Sequence, residues 1–142
     1  MRLAKSLAAA SLLLSLNATS GMAEVVAVVS AKNAVTTLTR NQLNDIFLAR
    51  TNRFPNGQQA VPVDQVEDSP ARNEFYSNFV GKSPAQLKAH WSKIIFTGRG
   101  QPPKKVPSGN EVKKFLADNP NGIGYLDKNA VDGSVKIVTV IP

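Results

Sequence analysis

The segment EVVAVVSAK (24–32) constrains the fold more than any other stretch of the chain. Its β-branched residues run on without the apolar/polar alternation of a half-exposed strand. Such a run reads as a strand buried on both faces, the mark of a parallel sheet held between helices. A strand of this kind needs helices to cover it, and the following sequence supplies them. In TRNQLNDIFLAR, Thr39 is placed to cap a helix and Gln42 sits three residues on, a capping box. Leu43, Ile46 and Phe47 follow at i, i+3 and i+4 and form its buried stripe.

The rest of the chain continues the alternation. NRFPNGQQ (52–59) reads as a loop turning at Asn56-Gly57. AVPVDQV (60–66) reads as a short strand, and Pro62 asks for an edge position or a strand start. In VEDSPARNEFY, Ser69 is the N-cap and Pro70 takes the first helical position, where its missing N–H costs nothing; Phe75 and Phe79 share a face. SPAQLKAHWSKIIF carries a second box, Ser83 with Gln86, and an apolar face of Leu87, Trp91, Ile94 and Ile95. TGRGQPPKKVP (97–107) reads as an irregular loop. SGNEVKKFLADNP carries a third box, Ser108 with Glu111, buries Val112, Phe115 and Leu116, and stops at Asn119-Pro120. GIGYL (122–126) and SVKIVTVI (134–141) read as strands joined through a turn at Asp132-Gly133. The order β-α-β-α-α-loop-α-β-β places the chain in the α/β class.

Residues 1–23 stand apart. Arg2 and Lys5 precede a short apolar run, Leu7–Leu16, and NATSGMA ends in small residues, with Gly21 and Ala23 at the −3 and −1 positions of a cut. This is the pattern of a secretory signal peptide, and the run is shorter than the ~20 helical residues that span a bilayer. Residues 24–142 are then expected to form one domain, exported to a bacterial periplasm. The chain has no Cys, which excludes disulfides, thiolate nucleophiles and thiolate metal sites. Its formal net charge is +7, of which Arg2 and Lys5 contribute two. This excess suits an anionic partner and equally serves solubility. Aromatic residues do not interleave with the basic ones, which argues against a nucleic-acid platform.

The residues argue against an enzyme. The single His, His90, lies beside the apolar stripe of its helix and reads as a half-buried packing residue rather than a base. There is no G-x-S-x-G elbow, no phosphate-cradling P-loop and no carboxylate cluster at metal-ligand spacing. No catalytic residue, metal or cofactor is expected. Two segments remain as candidates for binding. The helix start at Ser69 offers free N–H groups and a hydroxyl to an anion, with Arg72 three residues in. The loop around TGRGQPPKK offers Arg99, Lys104 and Lys105 to a ligand or partner, with Gly residues allowing close approach. Each also has a plainer reading, as an ordinary helix cap and as a solvated loop. Trp91, at helical spacing, reads as core.

Taken in order, LTRNQLNDIFLAR, NGQQAVPVDQVEDSPARNEFY, HWSKIIFTGRG and NPNGIGYLD resemble the phosphate-type periplasmic substrate-binding proteins of ABC transporters, and more closely their short, single-lobe relatives. The resemblance covers about residues 25–139. It implies a single periplasmic-binding-protein-like (type II) lobe, a mixed, mostly parallel sheet flanked by helices. One binding segment of that family runs Arg-Ser-Asp-Gly-Ser-Gly-Thr into a helix, with a Phe six residues after the second Ser. Aligned on Ser69, that Phe falls on Phe75, and Ser69 keeps the role of helix-cap donor. The Arg falls on Gln65, the Asp on Glu67, the first Gly on Asp68, the second Gly on Pro70 and the Thr on Ala71. The resemblance thus implies ligand contacts at Gln65, Ser69, Ala71 and Arg72.

Two-lobed members need roughly twice this length, at ~100–150 residues per lobe. A single lobe leaves a ligand half exposed unless a second chain, as in a homodimer, supplies the other wall. Two functions follow from the resemblance. One is a solute-binding module for phosphate or another small oxyanion, working beside a membrane transporter. The other is a protein-interaction or sensory module that docks on a membrane partner.

Overall fold

The computed structural model describes residues 24–142; the signal peptide expected over residues 1–23 lies outside the described residues. Strand β1 (Val25–Ser30) is the buried strand expected from the β-branched run. It lies inside a five-stranded sheet with β3 (Val61–Gln65), β4 (Lys104–Val106), β5 (Gly122–Asp127) and β6 (Val135–Ile137), ordered β4-β3-β5-β1-β6. The architecture is the expected mixed α/β sheet flanked by helices. β3 runs parallel to both β4 and β5, and β2 (Thr37–Thr39) runs parallel to β7 (Thr139–Ile141) in a small second sheet. β1 itself is antiparallel to both its neighbours, β5 and β6. An unbroken apolar run reports that both faces are covered, and it does not report the direction of the neighbouring strands.

The covering layers follow the pleat. Val25, Ala27 and Val29 of β1 and Ile123 and Tyr125 of β5 point into one apolar cluster. That cluster also holds Leu43, Ile46 and Phe47 of α1 (Arg40–Phe47) and Phe75 of α2 (Pro70–Phe75). Val28, Val63 and Leu126 point the other way, into a cluster closed by Val112 and Leu116 of α4 (Gly109–Asp118). The capping box at Thr39 forms as read, with Gln42 N donating to Thr39 Oγ1 at 3.1 Å and Thr39 N to Gln42 Oε1 at 2.9 Å. Ser83 and Gln86 close the same box at the start of α3 (Pro84–Phe96). At α4 the box is incomplete: Ser108 gives no side-chain cap bond and instead donates its hydroxyl to the Glu111 carboxylate.

Three expectations are corrected. The stretch 97–107 is not wholly a loop, because Lys104–Val106 adds to the sheet edge beside β3. SVKIVTVI is two strands broken at Val138, one pairing with β1 and one with β2. Pro62 meets the second of its two expected placements, near the start of β3, where only β5 pairs with it. The apolar face of α3 is not core: Leu87 alone is buried, Trp91 and Ile94 are half-buried, and Ile95 is 57% exposed. Phe115 is likewise only half-buried.

At Gly124, α4 packs closely on the sheet. A Cβ there would lie 2.8 Å from Val112 Cγ1 and 3.0 Å from Val63 Cγ1. Gly124→Ala should therefore overpack the α4 side of the sheet and lower unfolding free energy by about 1–3 kcal/mol. Gly133→Ala, where nothing lies within 4 Å, should change it little. Urea denaturation followed by circular dichroism compares the two.

Candidate functional site

Asp64 anchors the site. It lies on β3 with its side chain on the opposite sheet face from Val63, under α2, and is 1% exposed. A carboxylate this deep requires compensation by hydrogen bonds and charge, and the surroundings provide both. Gln65 N donates to Asp64 Oδ1 at 2.8 Å. Tyr76 Oη donates to Oδ2 at 2.6 Å, and Tyr125 Oη donates to Oδ1. Arg72 Nε approaches Oδ1 at 3.5 Å, a charge contact between two buried side chains rather than a hydrogen bond. The guanidinium lies over the Tyr76 ring, 4.8 Å from its centroid, where the π face attracts it.

The aromatic rings lock this arrangement. Phe75 stacks on Tyr125 with centroids 4.1 Å apart and planes within 5°. Phe47 packs on Phe75 from α1 at 4.8 Å. Tyr76 directly follows α2 and opens a π-helical turn, Tyr76–Val80, and its hydroxyl reaches Asp64 from there. Burial pushes the Tyr125 and Tyr76 phenols far above their ordinary range, and the Asp64 carboxylate adds to the shift in both.

Two grooves open above this floor, and Arg72 lines both. The first, about 550 Å³, lies between the π-helical turn and the start of α3 and is lined also by Asn73, Ser77, Lys82 and Ser83. The second, of similar volume, runs along α3 past Lys88, Trp91 and Ile95 to Lys105.

The residues singled out from the sequence fall into distinct places. Gln65, Ser69, Ala71 and Arg72 are brought together around the α2 start. The Ser69 hydroxyl donates to Gln65 Oε1 at 2.7 Å, and Gln65 Nε2 donates to the Tyr125 carbonyl at 2.9 Å. Ala71 is buried against the core. Arg72 does not reach back over the helix end as a surface residue would; it is 7% exposed and turned onto Asp64. Glu67, in front of the helix, is exposed and pairs with Lys105 at 3.2 Å, which holds its carboxyl below the usual range. Lys104 lies over the Phe115 ring at 5.8 Å, on the short strand β4. Arg99 is elsewhere, in a shallow depression with Ala49, Arg50 and Thr51. His90 is half-buried with Nε2 2.9 Å from the Leu48 carbonyl oxygen, the packing position expected of it.

Sequence reasoning missed Asp64, Tyr76 and Tyr125. Asp64 breaks an otherwise apolar strand with a charge, a signal that a buried ion pair lies opposite. Its partners come from α2, the π-helical turn and β5, and nothing local in the sequence names them.

Two outcomes test this floor. Asp64→Asn leaves Arg72 buried without its counter-charge and should cost about 3–5 kcal/mol, measured by urea unfolding. The chain's 2 tyrosines are both held neutral here, so tyrosinate absorbance near pH 10 should stay absent until the protein unfolds. Above pH ~10 the unfolded tyrosines lose their protons and the folded ones keep them. Stability should therefore fall as pH rises, by about 1.4 kcal/mol per pH unit for each tyrosine.

Solved structures share this architecture. An ABC-type phosphate transport receptor from Vibrio cholerae superposes with a TM-score of 0.64 at 23% identity, over 82% of this chain and 45% of that one. A putative phosphate ABC transporter substrate-binding protein from Clostridium perfringens, solved with bound phosphate, gives 0.65 at 22% identity, over 82% and 44%. PstS from Borrelia burgdorferi gives 0.61 at 15% identity, over 82% and 46%. No family model and no curated protein matches the sequence. The chain thus spans less than half the length of these proteins, and over that span it has the periplasmic-binding-protein-like fold of phosphate ABC transporter substrate-binding proteins.

Proposed function

We propose that the chain is a periplasmic solute-binding module that takes a small oxyanion such as phosphate, weakly, in the groove beside Arg72. The fold supports the solute-binding class, since the solved structures that share it are transport receptors and substrate-binding proteins. The observation that carries the anion is Arg72. Its side chain is buried and held beside Asp64 by charge, with Nε toward the carboxylate, and the residue walls a groove that also presents Lys82, Ser77 and Ser83. Lys82 makes no ion pair among the described residues.

The α2 start itself is a poorer seat than the sequence suggests. Pro70 lacks an N–H, and the Ser69 hydroxyl is already engaged by Gln65. An anion approaching the helix therefore finds its free donors one turn further on, at Arg72 and across the groove at Lys82. Asp64 offsets much of the Arg72 charge, and the groove is open on one side, so affinity is low unless a second wall closes it. A membrane transporter or a second copy of the chain would supply that wall.

Thermal unfolding with increasing phosphate and sulfate tests the reading. Phosphate at about 100 times its dissociation constant should add about 2.7 kcal/mol of stability. Lys82→Gln, an exposed-side change that leaves the Asp64 cluster intact, should weaken that gain, with the dissociation constant rising about fivefold to tenfold. The absence of any stabilisation at tens of millimolar anion would remove the oxyanion from the proposal.

A further inference from the structure

Helix α3 presents an outward face that the domain does not use. Leu87 points into the protein and is buried. Phe96 lies nine residues on, two and a half turns at ~3.6 residues per turn, and so faces the opposite way. It is 92% exposed. Ala85, Ala89, Ser92 and Phe96 recur at helical spacing along this outer face, with Ile95 beside them, and all five are exposed. Lys88 flanks the stripe on one side and Lys93 on the other, and Arg99 follows the helix just beyond the left-handed turn at Gly98. The 13-residue helix contains no acidic residue. None of Lys88, Lys93 and Arg99 makes an ion pair among the described residues.

We propose that this face of α3 is a peripheral docking surface for an anionic lipid bilayer. An aromatic and an isoleucine at the helix end would enter the headgroup region while Lys88, Lys93 and Arg99 meet lipid phosphates. The charge pattern selects this occupant. A second copy would bring the same unpaired cations against themselves, whereas an anionic surface complements them. Phe96 stands at the end of the helix and is 92% exposed, and a bilayer receives such a side chain without a matching pocket. Phe96 and Ile95, with Lys88, Lys93 and Arg99 around them, give the end of this helix the apolar and cationic contacts that interfacial segments combine. No helix among the described residues is long and apolar enough to cross a membrane, so the contact is made at the surface.

The single Trp of the chain, Trp91, is half-buried one turn from Ile95 and reports the event. The test uses the protein from Glu24 onward, which holds every residue of the described fold, with vesicles of phosphatidylglycerol and phosphatidylcholine. Sedimentation with mixed vesicles, a blue shift of Trp91 emission and weak binding to pure phosphatidylcholine are expected. Phe96→Ser should lower partitioning about tenfold, and Lys88→Gln or Lys93→Gln about fivefold each, with melting temperatures unchanged.

Three results would overturn the proposal: no partitioning at low salt, partitioning that Phe96→Ser leaves intact, or a blue shift that grows with protein concentration in the absence of lipid. The last would assign the face to self-association. Millimolar inorganic phosphate should leave Phe96-dependent partitioning in place, and Phe96→Ser should keep any phosphate-induced stabilisation, so the lipid and solute readings stand or fall separately.

Discussion

A buried carboxylate organises this domain. Asp64 sits on an inner strand where a charge left alone would be intolerable, and side chains from three other parts of the chain converge on it beside the Gln65 N–H of its own strand. Satisfying it sets which side of α2 faces the sheet, because Arg72 must turn inward. It also sets how the chain leaves α2, because Tyr76 must place a hydroxyl on the second oxygen. It ties β5 to β3 by a side-chain bond in addition to the parallel ladder between them. Phe75, stacked on Tyr125, then carries the same constraint into the α1 layer. The polar floor and the aromatic core are one structure.

That arrangement bears directly on binding. Arg72 is held in one place by a carboxylate and an aromatic ring, so its position over the grooves is set before any ligand arrives, and little entropy is lost in recruiting it. The same contact with Asp64 lowers its net pull on an incoming anion. A site built this way favours geometry over strength, which is consistent with a ligand completed by a second wall.

Much of the fold was legible because the signals were local. The Thr39 and Ser83 boxes, the Asn56-Gly57 turn and the β-branched core strand each depend on residues within a few positions of one another. The misreadings share a cause. β4 is three residues long and polar, and it is a strand only because β3 lies beside it. The break at Val138 reflects two different partners, β1 and β2, for what looks like one run. On α3 the periodicity of Leu87, Trp91, Ile94 and Ile95 located a helix correctly, but a stripe shows which residues share a side and not whether anything covers them. For the candidate site, Ser69 and Arg72 were found from helix-start chemistry, while Asp64 and both tyrosines, which decide where Arg72 points, are joined by contacts 12 and 61 residues apart.

The register of β1 has a consequence for how the molecule comes into being. Its partners are Ile123–Asp127 and Val135–Ile137, nearly the whole domain away in sequence. β1, the first strand of the described fold, therefore stays unpaired on both edges until β5 and β6 reach it. Long-range closure of this sort is slow. The domain therefore closes as one cooperative unit, because no amino-terminal portion of the described fold can complete the sheet by itself.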